Sequence, residues 1–474
     1  MSTSRIDRIV GVLVGLGAGD ALGAGYEFGP AFEGPVEMKG GGPFNWEVGE
    51  WTDDTQMAIC IAENLADGDL DLVSLGDRFI EWSTECKDIG NQTRAVLSNA
   101  RNGASLPDIA ATHHLNHPNR SAGNGSLMRT GPVALAYLGD NAAIARVAVD
   151  ISSLTHADPL ANEACVLWSI AIAEAIETAE IPDIRAGLAY VPYDRRPLWE
   201  GIITDAETED PRTFNPNGFV VTAFQAAWSS IVQTPVPRRR ANHLRLVLEN
   251  TVRIGHDTDT TAAIAGGMLG AIYGVSAVPL EWKAIMHGWP GLTSRDLALL
   301  AALTATGGVD DSAGWPSDPS MDDYYRRNFP QCPIAEPLLD DAGVIVGNIA
   351  GIERSDTDVV VSLCRMGSEP LSDTHVDVRL IDGASHGANP NLEFVIDDTV
   401  RFIASQRDAG RTVYLHCVRA ESRTPTVAAA YLAYRLGIPG ADALARVRQS
   451  LPNASPNPGF LTYLNTLNSK GWST

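Results

Sequence analysis

Apolar residues recur at three- and four-residue spacing through the first two thirds of the chain. "DNAAIARVAVDISSLTH" and "NEACVLWSIAIAEAIETA" both show it, and the pattern predicts helix after helix from residue 1 to 305. No run of alternating apolar and polar positions interrupts this part. The texture changes at "TGGVDDSAGWPSDPSMDDYYRRNFPQCP" (Thr306 to Pro333), where Gly, Pro, Ser and Asp read as linker punctuation. Beyond it, the short β-branched runs "GVIVGNI", "DVVVSLC", "HVDVRLI" and "RTVYLHC" alternate with helical stretches such as "NLEFVIDDTVRFIASQRDAG" and "TPTVAAAYLAYRLG". Strands alternating with helices predict a parallel α/β sheet. The expected organisation is multidomain: an all-α domain over 1–305, a linker over 306–333 and an α/β domain over 334–474.

Length and charge narrow the picture. A chain of 474 residues suits two or three domains. With 45% hydrophobic and 20% charged residues it is globular. A formal charge of -23 opposes binding to DNA or RNA phosphates, so no DNA partner is expected. A small phosphorylated ligand in a local basic pocket stays compatible. The six cysteines are scattered without a CxxC pair, which reads as free thiols in a reducing compartment. No apolar run is expected to reach the roughly 20 residues of a membrane helix. "IVGVLVGLGAG" (residues 9–19) follows Arg5 and Arg8 like a faint signal-peptide core, but Asp20 comes next and the Gly/Ala spacing suits a packed helix. The expectation is a cytoplasmic protein with no membrane partner.

Two stretches carry the first candidate chemistry. "EWTDDTQMAI" holds Thr52, Asp53, Asp54 and Thr55; "RIGHDTDTTAAIAGGMLGAIYG" holds Asp257, Thr258, Asp259 and Thr260. Each opens a helix of small apolar residues. Every candidate ligand is an oxygen, and the only imidazole nearby is His256, which suits Mg²⁺, Mn²⁺ or Ca²⁺ rather than zinc. Four carboxylates gathered without a cation would repel one another and take up protons more readily; a divalent pair relieves that. Either cluster alone reads as an ordinary helix cap. The matched pair points to a metal.

Six motifs occur in order: "GDALGAGYE" (Gly19 to Glu27), "WTDDTQMA", "KDIGNQT" (Lys87 to Thr93), "GNGSLMR" (Gly123 to Arg129), "THAD" (Thr155 to Asp158) and "GHDTDTTAAIAGGMLGA". Together, over roughly residues 5–300, they resemble the ADP-ribosylglycohydrolases, the family of the dinitrogenase-reductase-activating hydrolase. The resemblance implies an all-α fold, a centre of two Mg²⁺ or Mn²⁺ ions, and hydrolysis of the bond from the ADP-ribose anomeric carbon to a modified group. Carried across by motif, Thr52, Asp53, Asp54, Asp257, Asp259 and Thr260 would be metal ligands. Gly123, Asn124, Gly125 and Ser126 would contact ADP-ribose. His156 would lie near the ligand, or serve as a satisfied structural group. Glu27 and Asp88 are the two candidates for general base, unranked. Glycoside cleavage passes through an oxocarbenium-like state, and two cations can hold the ribose hydroxyls and activate water. His256 departs from the family, where many relatives have Gly.

The second constellation is "VYLHCVRAESRTPTVAAAYL". Cys417 follows an apolar strand, and after five intervening residues Arg423 and Thr424 open a helix. Backbone N–H groups at a helix start bind a dianion and favour a thiolate. Arg423 can grip two phosphate oxygens, Thr424 can hydrogen-bond the thiolate, and Asp382 in "VRLIDGAS" is the candidate acid for the leaving oxygen. This resembles the dual-specificity and tyrosine phosphatases, over about residues 335–470. Two departures stand out: Ala420 occupies a position where the family usually has Gly, and Glu421 puts a negative charge in the loop. If position 420 needs positive φ, Ala costs about 1 kcal/mol there.

The expected function is a bifunctional hydrolase: metal-dependent removal of ADP-ribose from a modified protein or small molecule, and cysteine-dependent removal of phosphate from a phosphorylated substrate. One substrate carrying both groups, such as a phosphorylated ADP-ribose, is the hypothesis the fusion motivates. The alternative is a protein that binds ADP-ribose or phosphate with one or both sites non-catalytic.

Overall fold

The computed structural model describes residues 2–309, 321–329, 332–366, 371–372, 374–383 and 386–467. The chain divides into two compact units. One is built from Arg5–Val278 and Ile285–Asp311; the other from Ser312–Thr474 together with Pro279–Ala284 and Ser2–Ser4.

The first unit is helical. The elements that matter for its chemistry are α1 (Thr3–Gly23), α2 (Asp53–Ala66), α3 (Asn141–Ser152), α4 (Pro159–Thr178), α5 (Val220–Gln233) and α6 (Thr258–Tyr273). The two periodic stretches quoted above fold as α3 and α4. Apart from isolated bridges, the strands among the described residues of this unit are a two-residue ribbon, His287–Gly288 against Leu292–Thr293.

A glycine seam explains why α1 and α6 are so poor in large side chains. Gly11, Gly15, Gly19 and Gly23 recur every four residues and so share one face of α1. Added Cβ atoms at Gly11, Gly15 and Gly19 would overlap the carbonyl oxygens of Gly270, Gly266 and Ala262 on α6. In the other direction, Cβ atoms at Gly266 and Gly270 would overlap the carbonyls of Gly15 and Gly11. A Cβ at Gly23 would lie 2.5 Å from the Asp259 Cα. The two backbones are therefore in direct contact, and the seam runs straight to the acidic end of α6. All residues of α6 are buried.

One expectation needs correcting. Thr3–Tyr26 and Pro159–Thr178 are long and apolar enough to span a membrane, although the sequence reading found no such run. Both are mostly buried inside the protein, 89% and 78% of the relevant windows, so here their apolar surface packs the core. The small residues of α1, which dilute its apolar character by eye, are the ones the seam requires.

The second unit carries helix α7 (Met321–Asn328) and strands β1 (Ala335–Leu338), β2 (Asp341–Asn348), β3 (Val359–Ser362) and β4 (Thr374–Asp377). Helix α8 (Leu392–Asp408), strand β5 (Val413–Cys417) and helix α9 (Arg423–Leu436) complete its centre. Strand order is β1-β2-β5-β3-β4. The pairs β2–β5, β5–β3 and β3–β4 are parallel, with Asn348 opposite Cys417 and Ser362 opposite His416. The four β-branched runs form these four strands, and their valines fill the core under α8 and α9. Two elements were not foreseen. β1 is an antiparallel edge strand whose Pro337 hides its strand character, a residue tolerated at edges. Helix α7 falls inside the stretch read as linker.

Two candidate active sites

The first site is assembled from helix ends. Asp20 lies in the last turn of α1 and is fully buried. Its carboxylate accepts from the Thr52 N–H at 2.9 and 3.0 Å, the Thr55 N–H at 3.0 Å and the Thr55 hydroxyl at 2.5 Å. Thr52, the residue that caps α2, makes no side-chain cap bond. Asp20 takes that role from another helix and fixes the α2 start, leaving Asp53 and Asp54 buried in its first turn. The Thr52 hydroxyl donates to Asp54 Oδ2 at 2.9 Å.

Across from it, Asp257 precedes α6 and also makes no cap bond. Its Oδ2 instead accepts from Asn124 Nδ2 at 2.8 Å, and its backbone N–H donates to Asn217 Oδ1 at 3.0 Å. Asn217 in turn donates to Thr261 Oγ1 at 3.1 Å and to the Gly255 carbonyl at 3.2 Å. Asp259 Oδ1 accepts from the Thr260 N–H at 2.9 Å. Glu27, just beyond α1, reaches the same point: one oxygen each of Glu27, Asp257 and Asp259 lie within 4.8 Å of one another. Two backbone bonds hold the Glu27 segment there, Phe28 N–H to the His256 carbonyl at 2.6 Å and His256 N–H to the Gly29 carbonyl at 2.7 Å. Phe28 and His256 both have left-handed φ, 59° and 61°. The departure at His256 is thus a turn that ties the two segments together.

Burial pushes these carboxyls toward their neutral forms, and mutual repulsion adds to it at Glu27, Asp53, Asp54 and Asp259. Glu27 rises to about 9 and Asp53 to about 8, each by burial and then the charge of Asp88. Asp20 rises to about 6, and Asp54 and Asp259 stand well above the usual carboxylate range, all chiefly from burial. Asp257 and the half-buried Asp88 are raised the same way. Glu27 Oε2 and Asp54 Oδ1 are buried without a hydrogen-bond partner. Orphaned carboxylate oxygens in an all-oxygen cluster fit a hard divalent cation, which would satisfy both the geometry and the charge.

The "GNGS" stretch is a short turn, Asn124–Ser126, held to the segment before α5 by Asn124 N–H to the Gly218 carbonyl at 3.3 Å and Val220 N–H to the Ala122 carbonyl at 2.9 Å. Its glycines are needed for contact with His156: added Cβ atoms at Gly123 and Gly125 would lie 3.3 and 3.1 Å from the imidazole. His156 is buried behind the turn, and burial holds it neutral, well below its usual range. Its Nδ1 sits 2.7 Å from Thr155 Oγ1, which also accepts from the buried Arg129 guanidinium at 2.7 Å. Ser126 is buried too and accepts from Cys165 Sγ at 3.5 Å. The six acids named from the sequence therefore converge, whereas Thr52, Ser126 and His156 sit behind them as supports. Asp20 and Asn217 were missed. The signal for Asp20 was present: an isolated carboxylate inside an apolar helix must have buried partners.

In the second unit, Cys417 ends β5 and α9 begins at Arg423, with no side-chain cap on its first N–H groups. Cys417, Asp382 and Arg423 line one cavity of ≈ 430 Å³. Arg423 Nη1 donates to the Leu363 carbonyl at 2.7 Å and the Leu380 carbonyl at 3.3 Å, which orients the guanidinium; its Nε is buried without a hydrogen-bond partner. Asp382 Oδ1 accepts from Ser422 Oγ at 2.7 Å and Asn457 Nδ2 at 2.9 Å. The Thr424 hydroxyl donates to the Gly347 carbonyl at 3.3 Å, a bond to β2 rather than to the thiol. Ala420 does take a left-handed φ, 57°. Glu421 pairs with Arg419 at 3.3 Å at the cavity rim, both substantially exposed. His416 is fully buried, 2.7 Å from Ser362 Oγ, and burial pushes it down to about 3.

The comparisons with known proteins match each unit to a family. Residues 1–310 match the model of the ADP-ribosylglycohydrolase family, and residues 364–470 that of the dual specificity phosphatase catalytic domain. Over 290 residues the chain is 32% identical to ADP-ribosylarginine hydrolase Tri1 of Pseudomonas putida, covering 58% of this chain and 73% of that protein. Dual specificity protein phosphatase 1 of Arabidopsis thaliana is 31% identical over 139 residues, 28% of this chain and 68% of that one. A solved structure described as an ADP-ribosylglycohydrolase-related protein complex aligns with a TM-score of 0.53 at 30% identity, covering 65% of this chain and 99% of its own. The chain belongs to the ADP-ribosylglycohydrolase family and is a hydrolase with an added dual specificity phosphatase catalytic domain.

Proposed function

We propose that the first unit cleaves the N-glycosidic bond between ADP-ribose and an arginine side chain of a modified protein. The observation that carries this is the convergence of Glu27, Asp257 and Asp259, with Glu27 Oε2 and Asp54 Oδ1 buried and without a hydrogen-bond partner. The arginine linkage is taken from the 32% identical ADP-ribosylarginine hydrolase. Asp53 and Asp54 on one side, the latter held by Thr52, and Asp257, Asp259 and Thr260 on the other, would hold two Mg²⁺ or Mn²⁺ ions, whose charge would orient the ribose hydroxyls and make water more acidic. Gly123 and Gly125 would offer backbone groups to the ADP-ribose, while the Asn124 amide holds Asp257. Water adds to the anomeric carbon as the C–N bond breaks; Glu27 or Asp88 takes the water proton, and the leaving guanidine keeps the bonding pair. Release of ADP-ribose from ADP-ribosylated arginine, with and without Mg²⁺ or Mn²⁺, tests this reading. Metal-dependent release that vanishes in Asp257→Asn/Asp259→Asn supports it. Metal binding by calorimetry with no release would turn the reading to a non-catalytic ADP-ribose binder.

For the second unit, the reading is phosphomonoester hydrolysis. The Cys417 thiolate attacks phosphorus, an S–P bond forms, and the ester oxygen leaves with a proton from Asp382. Water then cleaves the S–P bond, releasing phosphate. Arg423 and the first N–H groups of α9 hold the phosphate oxygens. All six cysteines are free thiols, consistent with a reducing compartment such as the cytoplasm.

A further inference from the structure

Three of the ten histidines fall within five residues, His113, His114 and His117, at the end of the helix Leu106–Asn116. His114 is committed to its neighbours: its Nδ1 lies 2.7 Å from Ser121 Oγ and 3.5 Å from Asp158 Oδ2. The other two are four residues apart, the spacing that sets side chains on one helix face. Their rings lie side by side, with centroids 4.5 Å apart and planes tilted by 32°. His117 Nδ1 is 3.0 Å from the His113 carbonyl oxygen. A carbonyl only accepts, so Nδ1 carries the hydrogen and the neutral ring presents Nε2 as a bare lone pair. Metal-binding imidazoles are oriented the same way, with the second nitrogen donating to a backbone carbonyl. A helix C-terminus ordinarily favours protonated histidine, yet burial, and then the charges of His117 and His114, holds His113 below its usual range. Both rings are accessible: His113 is partly buried and His117 exposed.

We propose that His113 and His117 chelate a borderline divalent ion, of the Zn²⁺, Ni²⁺ or Cu²⁺ class, at a site separate from the all-oxygen cluster. Imidazole nitrogen selects these ions, whereas the carboxylates of Asp53, Asp54, Asp257 and Asp259 suit Mg²⁺ or Mn²⁺. Two histidines four residues apart on a helix are also the spacing that holds zinc in metalloproteases. Among the described residues no third His, Cys, Asp or Glu joins the pair. Water fills the remaining positions, so the ion exchanges with solvent, unlike a four-ligand structural zinc.

The test uses the untagged full chain with Ni²⁺ as the probe, titrated by calorimetry at neutral pH in excess Mg²⁺, which competes for the oxygen cluster. Deleting an outer partner of a metal ligand costs about 10–100-fold in affinity, and deleting the ligands themselves should cost no less. We therefore expect His113→Ala/His117→Ala to weaken Ni²⁺ binding at least about tenfold, and His114→Gln to keep the wild-type affinity. Equal affinity in wild type and the double variant overturns the proposal, as does an absence of binding to wild type. Electron paramagnetic resonance of the Cu²⁺-loaded wild type, again in excess Mg²⁺, gives a readout that no substitution can disturb through folding. Splitting from two imidazole nitrogens is expected at one equivalent of Cu²⁺. A spectrum of oxygen ligands alone would overturn the site.

Discussion

Gly15 and Gly266 face each other across the seam of α1 and α6 so closely that neither has room for a Cβ: each would overlap the other's carbonyl oxygen. This contact sets the distance between Glu27, which follows α1, and Asp257 and Asp259, which open α6. The pair Gly15→Ala/Gly266→Ala should therefore destabilise the first unit by about 1–3 kcal/mol through overpacking, despite the better helix propensity of Ala. Mn²⁺ affinity should fall with it. Thermal melts alone would register any core change; parallel loss of Mn²⁺ binding by calorimetry separates spacing of the carboxylates from general loosening.

Stability of the metal-free protein should fall as pH rises. Glu27 at about 9 and Asp53 at about 8 hold protons when folded that the unfolded chain releases near 4. Between those limits the native state binds more protons than the unfolded one, so the stability present below pH 4 is lost as pH climbs toward 8 and 9. Melting in chelator from pH 6 to 9 should show a falling Tm. Saturating Mg²⁺ or Mn²⁺ should flatten or reverse the slope. A chelated Tm that rises with pH over this range would contradict the cluster's charge state.

Ala420 is held at φ 57° by the loop around Cys417. Ala420→Gly should relieve that strain and stabilise the second unit by about 0.5–1 kcal/mol after the larger unfolded-state entropy of Gly is counted. Phosphate turnover should be kept or raised. The measurement is the denaturant midpoint of the full chain together with phosphate release, and a lowered midpoint would show that the left-handed turn is not strained.

Asp382 is placed by Ser422 and Asn457, and its proposed work is to protonate the leaving oxygen. Asp382→Asn preserves its shape and one acceptor oxygen. Turnover of an alkyl phosphate should drop by about 10²–10⁴, and of p-nitrophenyl phosphate far less, because that leaving group needs no proton. Equal losses on the two esters would move the acid elsewhere.

His416, buried and pushed down to about 3, adds an acid-side limit. The unfolded chain takes a proton on this residue near 6.5 and the folded chain does not, so stability rises with pH between 3 and 6.5 and is lost on acidification. His416→Gln should blunt the acid-side decline seen in urea midpoints between pH 4 and 7.

Much of this was legible in the sequence, for reasons that differ by residue. Asp53 and Asp257 could be placed because helix starts have a local signature, and Asp and Thr ahead of an apolar run declare one. The four parallel strands were readable because buried strands are continuous β-branched runs. What escaped was set by tertiary partners. Asp20 caps α2 from another helix, and no spacing rule connects residue 20 to residue 52. Asn217 acts through a loop whose own pattern is featureless. Tyr324, Tyr325 and Phe329 lie in a Gly- and Asp-rich stretch whose composition says linker, although its aromatic residues fold back over Cys417.

The glycine seam also has a consequence for how the chain is made. Gly15 and Gly266 meet only after about 250 further residues have been synthesised, which at ribosomal speeds takes about 12–50 s. Throughout that interval α1 is an apolar segment of membrane-spanning length without its α6 partner. The nascent chain should therefore be a client of ribosome-associated chaperones, competing with the targeting machinery that looks for such segments, and depletion of those chaperones should reduce the yield of folded protein more steeply than slowing translation near its end.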